Sequence, residues 1–101
     1  MHTIGADTSF EITVDGRRAG LARYVRRGGR LVFVHTEIDA AFEGQGLGSA
    51  LAAGALDAAR SAGEPVVPLC SFIADYIERH PEYADLVDRE LLARFEQAGG
   101  G

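Results

Sequence analysis

Apolar and polar side chains alternate along the first part of the chain, which is the pattern of β-strands with one buried face. The alternation is strict from residue 10 to residue 15, and it predicts a half-buried strand over Phe10–Val14. Asp15-Gly16 follows directly and is typical of a type I′ hairpin turn, because both central residues of that turn need positive φ. A second strand is predicted over Arg18–Arg26.

The third predicted strand, Arg30–Ile38, follows a turn at Gly28-Gly29. Strict alternation gives this strand two faces, which carry Leu31, Phe33 and His35 on one side and Val32, Val34 and Thr36 on the other. Apolar residues on both faces predict a central strand that is covered on each side. The three strands are expected to form an antiparallel meander.

Apolar residues recur at helical spacing from Gly46 to Ala62, and the many small side chains among them suit a helix that lies close on a sheet. Gly63 is a typical helix C-cap, since a left-handed conformation is needed there. Val66–Cys70 is predicted as a short buried strand, which the crossover helix places parallel to the third strand. Pro68 donates no hydrogen bond to a ladder, so we expect it at an edge or splayed position.

The C-terminal part predicts further helices. Ser71 is the expected N-cap of a helix over Phe72–Arg79, which ends before Pro81 because the residue before a proline avoids the α region. Tyr83–Gln97 is also predicted to be helical, and residues 98–101 are expected to form a frayed, disordered tail. The order β-β-β-α-β-α(-α) predicts an α/β (α+β) fold, with helices packed on a mixed sheet in one domain over residues 1–101.

Composition narrows the classes of function. The chain has 101 residues, a net charge of −5 and a single cysteine. The acidic balance argues against nucleic-acid or anionic-membrane binding, and no apolar run approaches the roughly 20 residues of a membrane helix. No secretory signal is visible and one cysteine cannot form an internal disulfide, so we expect a cytoplasmic protein. The absence of lysine beside abundant alanine and glycine indicates the codon bias of a GC-rich genome, and we expect a bacterial source.

Arginines are concentrated in the first third of the chain, at Arg17, Arg18, Arg23, Arg26, Arg27 and Arg30. The ordinary interpretation is a pair of strands with solvated outer faces. The alternative is an anion-binding surface.

The segment Gly44–Ser49 carries the most chemical information. Its glycines stand at positions 44, 46 and 48 and lead into the predicted helix. Glycines let the backbone approach a bulky ligand and aim successive N–H groups at it, and a helix N-terminus favours a phosphate. The segment lacks the Gly-Lys-Ser/Thr of a Walker loop, and its third glycine comes one position too early for a dinucleotide fingerprint. Phosphate binding and a plain tight strand-to-helix connection are the two interpretations.

This turn resembles the acetyl-CoA motif of the GNAT superfamily of N-acetyltransferases, R/Q-x-x-G-x-G/A. Gly46 and Gly48 fill the two glycine positions, and Glu43 stands where Arg or Gln is usual. A second register, Gln45, Gly48 and Ala50, matches the motif literally but starts the turn inside the helix. The Glu43 departure affects one side chain and leaves the backbone cradle intact.

The chain also resembles very small GNAT-like proteins of the YjdJ type, over about residues 10–87. The segments that carry the resemblance occur in the same order and are His35–Ile38, Gly44–Leu51, Val67–Cys70 and Tyr76–Val87. Ser71 stands where a proline is usual after the cysteine. The resemblance implies a minimal GNAT-like fold, an antiparallel β-meander plus one parallel strand after a crossover helix, with C-terminal helices.

The resemblance further implies that acetyl-CoA is the cosubstrate, without a metal. Backbone groups near Ile38 should bind the pantetheine arm, the N–H groups of Gly44–Ser49 the pyrophosphate, and Cys70 should lie near the thioester. A splay between the third and fourth strands, helped by Pro68, should form a V-shaped slot. The implied coenzyme-binding residues are Ile38, Glu43, Gly44, Gln45, Gly46, Leu47, Gly48, Ser49, Cys70, Ser71 and Tyr76.

Acetyl transfer to an amine needs a neutral amine, a stabilised oxyanion and a proton for the departing thiolate. Glu37 could take the amine proton, and His35 could do so because histidine titrates near neutral pH; a surface carboxylate and a packed histidine are the alternatives. Cys70 precedes a predicted helix N-terminus, a location that favours a thiolate. It could protonate the leaving coenzyme or accept the acetyl group, or it could be an inert buried cysteine.

Full-length members of the superfamily often use a tyrosine acid on the helix after the fourth strand, and by the resemblance Ile77 stands at that position. Tyr76 is one residue away and Tyr83 lies beyond the predicted helix end. Either tyrosine could belong to the core.

Two hypotheses of function follow. The first is an acetyl-CoA-dependent N-acetyltransferase that acts on an amine of unknown identity, on a small molecule or a peptide, as a monomer or homodimer. The second is a non-catalytic acyl-CoA-binding or protein-interaction module, because the chain lacks the customary tyrosine and the early helices of typical acetyltransferases. His2, His35 and His80 are scattered, so no metal site is expected.

Overall fold

The computed structural model describes residues 3–5 and 9–99. Its strands are β1 (Thr3–Gly5), β2 (Ser9–Val14), β3 (Arg17–Arg27), β4 (Arg30–Ile38) and β5 (Val66–Pro68). Its helices are α1 (Leu47–Ala62), α2 (Ser71–Arg79) and α3 (Arg89–Gly99), with 3₁₀ turns at Ala40–Phe42 and Pro81–Leu86. None of the helices in this part of the chain is both long and apolar enough to cross a membrane.

The strands form one five-stranded sheet in the order β1-β2-β3-β4-β5. The first four strands pair antiparallel and β5 pairs parallel to β4, so the predicted α+β fold with a meander and one parallel strand is confirmed. Strand β1 was not anticipated from the sequence, because a three-residue segment is too short to show a period. It adds to the outer edge of β2, with Thr3 opposite Ile12.

The hydrophobic core lies between the sheet and helices α1 and α2. Helix α1 buries one stripe of side chains, Leu47, Leu51, Ala52, Ala55, Leu56 and Ala59. Gly63 ends the helix with φ 69°, as predicted for a C-cap. Phe10, Tyr24 and Phe33 form an aromatic cluster below this helix, with ring centroids 5.1 to 6.2 Å apart. Large rings packed at these distances add to the free energy gained from burial.

Two predictions in the C-terminal part are wrong. Cys70, and not Ser71, is the N-cap of α2, because its backbone is still extended (φ −74°, ψ 126°) while its C=O already accepts from Ala74 N at 3.0 Å. Tyr83–Gln97 is not one helix: the chain leaves the 3₁₀ turn at Val87, which bridges to Val66 at the outer edge of β5, before α3 begins.

The C-terminal tail differs in part from its prediction. Helix α3 continues to Gly99, so the backbone of residues 98 and 99 is helical where a frayed tail was expected. Gly100 and Gly101 lie outside the described residues.

A β-bulge in β4 changes which of its side chains share a face. Phe33 pairs with Tyr24 and His35 with Arg23, so Val34 is an extra residue without a cross-strand partner on β3. Cross-strand partners point to the same side of a sheet, which puts Thr36 on the helix-covered face with Phe33 and puts His35 on the opposite face. The sequence placed His35 with Phe33 because strict alternation cannot reveal an inserted residue.

The same bulge marks where β4 stops being covered on both faces. Leu31, Val32 and Phe33 are at most 1% exposed, whereas Val34 is 40% exposed. The prediction of a strand covered on each side therefore holds only for the first part of β4.

Strands β4 and β5 pair over only three positions and then separate. The last pair is Phe33 with Pro68, and the Phe33 C=O accepts from both Leu69 N and Cys70 N at 3.0 Å. Within the residues that the structure describes, no strand pairs with the β5-facing edge of Val34–Ile38. This is the splay that the sequence predicted at Pro68, and we call the place where the two strands separate the β4–β5 slot.

Candidate functional site

The connection that leaves β4 is fixed by Asp39. Its N–H donates to Ala19 O at 2.7 Å, and its carboxylate accepts from Ala41 N at 2.9 Å. The side chain thereby caps the 3₁₀ turn Ala40–Phe42. This turn delivers the chain from the end of the β4–β5 slot to the glycine segment.

Two of the glycines adopt conformations that L-residues avoid. Gly44 has φ 83° and Gly46 has φ 73°, and a Cβ at either position would meet nothing within 4 Å. Gly46 is the N-cap of α1 and provides no side-chain cap. These two glycines set the path of the backbone and leave open space in front of it.

Gly48 has a different role from the one expected of it. Its φ is not positive, and a Cβ there would lie 2.7 Å from Phe72 Cζ. Gly48 therefore gives room to the Phe72 ring of α2, and it does so inside the first turn of α1. The third glycine serves helix packing and not the path of the turn.

The N–H groups of the glycine segment are bare. The first hydrogen bond of α1 runs from Ala50 N to Gly46 O at 3.2 Å. Across the part of the chain that the structure describes, no acceptor is found for the N–H groups of Gly44–Ser49. Bare N–H groups at the positive end of a helix favour an anion, so this backbone fits a diphosphate.

Cys70 lies where β5 and β4 separate. Its thiol donates to Thr36 Oγ1 at 3.2 Å across the β4–β5 slot, and the side chain is partly buried. As the N-cap of α2, Cys70 stands at the positive end of a second helix. The bulge at Val34 makes this contact possible, because it turns Thr36 to the helix-covered face.

His35 and Glu37 lie together on the opposite, open face of β4, as their spacing predicted. The His35 Nε2 and Glu37 Oε2 atoms are 2.9 Å apart, and the two side chains are 57% and 58% exposed. A carboxylate at this distance orients an imidazole by accepting a hydrogen bond from its Nε2–H. The pair can accept a proton from a group that approaches this face.

Tyr76 on α2 and Tyr83 after it contact other residues of the chain: Tyr83 through a hydrogen bond and Tyr76 through ring stacking. The Tyr83 hydroxyl donates to Asp57 Oδ1 at 2.7 Å, and this hydrogen bond, together with burial, raises the pKa of Tyr83 to about 12. The Tyr76 ring stacks on His80 with centroids 4.1 Å apart, and burial raises the pKa of its hydroxyl. Ile77, at the position of the customary tyrosine acid, is buried in the core.

The remaining predicted coenzyme-binding residues surround the glycine segment and the slot. Ile38 is half-buried against the core, and Leu47 is buried, so that only its backbone can meet a ligand. Glu43, Gln45 and Ser71 are exposed. Ser49 lines a cavity of about 140 Å³ together with Phe72, Asp75, Tyr76 and Arg79.

Three residues near the site were not singled out from the sequence: Thr36, Phe72 and Arg79. Thr36 needed the bulge to be placed, and Phe72 was expected only as an apolar helix residue. Arg79 could have been found from helical spacing, because Phe72, Tyr76 and Arg79 follow i, i+4 and i+7 on one face of α2.

The arginine-rich strands have partners of their own. Arg18, Arg26 and Arg30 pair with Glu11, Glu64 and Asp88, and Arg17 and Arg27 lie over the rings of Phe42 and Phe95. These partners favour the interpretation of solvated strand faces. Among residues 3–5 and 9–99, no three His, Cys, Asp or Glu side chains converge in a way that could hold a metal ion; His2 lies outside these residues.

A comparison with protein-family models gives a match that covers most of the chain. The model described as GCN5-related N-acetyl-transferase matches residues 9–86, a range that contains β2 to β5, the glycine segment and Cys70. No curated protein matches the chain at a significant level. With most of its length matched, the chain belongs to the GCN5-related N-acetyltransferase family, whose members transfer acetyl groups and generally use acetyl-CoA.

Proposed function

We propose that this chain is an acetyl-CoA-dependent N-acetyltransferase of the small YjdJ type that acts on an amine. One observation carries the proposal: the N–H groups of Gly44–Ser49 have no acceptor in the described chain, and Gly48 packs on Phe72, two residues after Cys70 at the point where β4 and β5 separate. A phosphate-binding backbone beside a slot between strands suits a ligand that has both a diphosphate and a long extended arm.

Two segments of the chain bind two different parts of the coenzyme. The N–H groups of Gly44–Ser49 bind the diphosphate, where the positive end of α1 adds to their attraction. The unpaired edge of Val34–Ile38 offers backbone donors and acceptors to the amide groups of the pantetheine arm. Bound acetyl-CoA supplies an acetyl thioester, whose C–S bond breaks as the C–N bond to the amine forms.

His35 and Glu37 act as the base. The amine must lose its proton to become nucleophilic. The imidazole accepts this proton at Nδ1, because its Nε2–H donates to the Glu37 carboxylate, which stabilises the resulting charge. Both side chains face solvent on the open face of β4. An acceptor of variable size can reach them from that side.

Cys70 acts as the acid. Its thiol already donates a hydrogen bond across the slot to Thr36, so a proton is held where the departing sulfur is expected. Tyr83 cannot replace it, because its proton is held by Asp57. Cys70 lies on the helix-covered face and the His35–Glu37 pair on the other, so the acid and the base approach the slot from different sides.

The non-catalytic alternative has its own support, since Ile77 is buried where a tyrosine acid is customary. Binding and turnover must therefore be measured separately. Calorimetry with acetyl-CoA measures binding, and a thiol-release assay over a panel of amines and peptides measures turnover.

The decisive variant for binding is Gly46→Asp. It places a carboxylate beside the diphosphate and strains a residue at φ 73°, so we expect the affinity for acetyl-CoA to fall by about tenfold or more. Gly16→Asp is the matched control, because Gly16 has φ 79°, open space around it and a place in the β2–β3 turn. Equal affinities for the two variants would contradict the coenzyme site.

For turnover, Cys70→Ala should lower kcat by about 10²-fold while the affinity for acetyl-CoA stays unchanged. The control is Ser61→Ala, an exposed position at the far end of α1. Full turnover by Cys70→Ala would remove Cys70 from the reaction. Coenzyme binding without thiol release from any amine would favour the binding module.

A further inference from the structure

The cavity beyond Ser49 contains an arginine without a partner. Arg79 lines this cavity of about 140 Å³ with Ser49, Phe72, Asp75 and Tyr76. No ion pair, hydrogen bond or ring contact engages Arg79 within residues 9–99. A cation held at the edge of a cavity, with no acid to neutralise it, is available to an anionic ligand.

Two other arginines on the helices have acidic partners. Arg60 binds Asp85 at 3.0 Å, and Arg94 lies 3.6 Å from Glu90 on the same helix. Arg79 also has an acid one helical turn away, Asp75, which faces the same cavity, yet no ion pair joins the two side chains. The residues that line the cavity therefore include one cation, Arg79, and one anion, Asp75.

The position of Arg79 relative to the glycine segment indicates which phosphate of the coenzyme it can reach. Phe72 packs on Gly48 in the first turn of α1, close to the bare N–H groups. Arg79 follows seven residues later on the same face of α2, about 10 Å further along the helix axis. Ser49, the last residue of the glycine segment, lines the same cavity as Arg79, so a group that lies beyond a diphosphate bound at this segment can reach Arg79.

We propose that Arg79 binds the 3′-phosphate of the coenzyme's ribose. It thereby supplies a positive charge near the glycine segment, which is preceded by Glu43 where the family motif has Arg or Gln. This inference rests on the proposed function. The 3′-phosphate is the only further anionic group of the coenzyme, and a guanidinium can bind it through two parallel N–H donors. The Asp75 carboxylate lines the same cavity and repels the phosphate, so it lowers the affinity for CoA that Arg79 provides.

The test uses calorimetry at low ionic strength with two ligands, CoA and dephospho-CoA, which lacks only the 3′-phosphate. In Arg79→Gln the affinity for CoA should fall by about fivefold, and the affinity for dephospho-CoA should not change. Arg89→Gln is the matched control, because Arg89 is also without a partner in the described chain but lines a separate cavity with Leu92. It should change neither affinity.

Asp75→Asn provides a readout of opposite sign. Removal of its negative charge should raise the affinity for CoA by about twofold and should leave dephospho-CoA unaffected. Unchanged CoA binding in Arg79→Gln, or an equal loss for both ligands, would overturn the assignment of Arg79 to the 3′-phosphate. Failure of the unmodified protein to bind either ligand would instead overturn the proposed function.

Discussion

At the scale of single residues, the Tyr83 hydroxyl connects the chain after α2 to helix α1. It donates to Asp57 Oδ1 at 2.7 Å from a buried ring. Tyr83→Phe removes this bond and leaves the Asp57 carboxylate without it, so we expect the free energy of unfolding to fall by about 1 kcal/mol at neutral pH. Urea unfolding of the two proteins measures the difference.

The pH dependence of that difference follows from the pKa of Tyr83, which is raised to about 12. A raised pKa means that the folded state prefers the protonated phenol, so the stabilisation is fully present below the ordinary tyrosine pKa of about 10. It is lost as the pH rises from there through 12. If the free energy of unfolding of the unmodified protein exceeded that of Tyr83→Phe by an amount that grew with pH over this range, the hydrogen bond would be contradicted.

Residue types singled out candidate side chains for proton transfer, but they did not reveal all the contacts of these side chains. His35, Glu37 and Cys70 were singled out because their side chains can move protons, and the pairing of His35 with Glu37 was implied by their spacing of two. Thr36 was missed because only the three-dimensional structure shows that it receives the Cys70 hydrogen bond. The roles of these side chains in catalysis stay predictions.

At the scale of elements, the bulge at Val34 determines the two sides of the site. It leaves Thr36 facing Cys70 and turns His35 to the open face. Periodicity in the sequence predicted the strand and its central position, since these depend on local side-chain pattern. It could not predict the bulge, because a bulge is a property of the register between two strands.

Asp88 connects the start of α3 to strands β4 and β5 through three hydrogen-bonding contacts. Its carboxylate accepts from Leu91 N at 2.9 Å at the start of α3 and pairs with Arg30 of β4, and its own N–H donates to Val66 O. Asp88→Ala removes the cap and the ion pair together, whereas Asp88→Asn can keep the cap. We expect thermal unfolding to show a larger loss of Tm for Asp88→Ala than for Asp88→Asn.

Acid should remove the advantage of Asp88. The Leu91 N–H and then the Arg30 guanidinium hold the pKa of the Asp88 carboxyl below its usual value. The stabilisation is therefore present above the usual carboxyl pKa and is lost as the pH falls through the lowered one. A Tm difference between the unmodified protein and Asp88→Ala that stayed constant down to strongly acidic pH would argue against this linkage.

At the scale of the whole molecule, helix α1 follows the glycine segment, and Phe72 of α2 packs on Gly48 close to the point where β4 and β5 separate. The order of elements was predictable because the helix between β4 and β5 has to cross over, which makes those strands parallel. The break between α2 and α3 was not, because it depends on the bridge of Val87 to the outer edge of β5. That long-range contact leaves no periodic signal in the sequence.

The domain organisation, the location and the oligomeric state of the protein stay proposals. We propose that the matched region acts as one acetyl-CoA-binding domain in the cytoplasm, as a monomer or homodimer. Sedimentation at micromolar concentration, with and without CoA, measures the oligomeric state.

The most direct measurement is a titration of the ¹⁵N-labelled protein with CoA, followed by the amide signals in ¹H–¹⁵N spectra. The account predicts that the largest shifts occur at Gly44–Ser49, with further shifts along Val34–Ile38, while the turn at Asp15 and Gly16 stays unchanged. Amides of the glycine segment that do not move at millimolar CoA, while signals elsewhere do or while nothing moves, would contradict it.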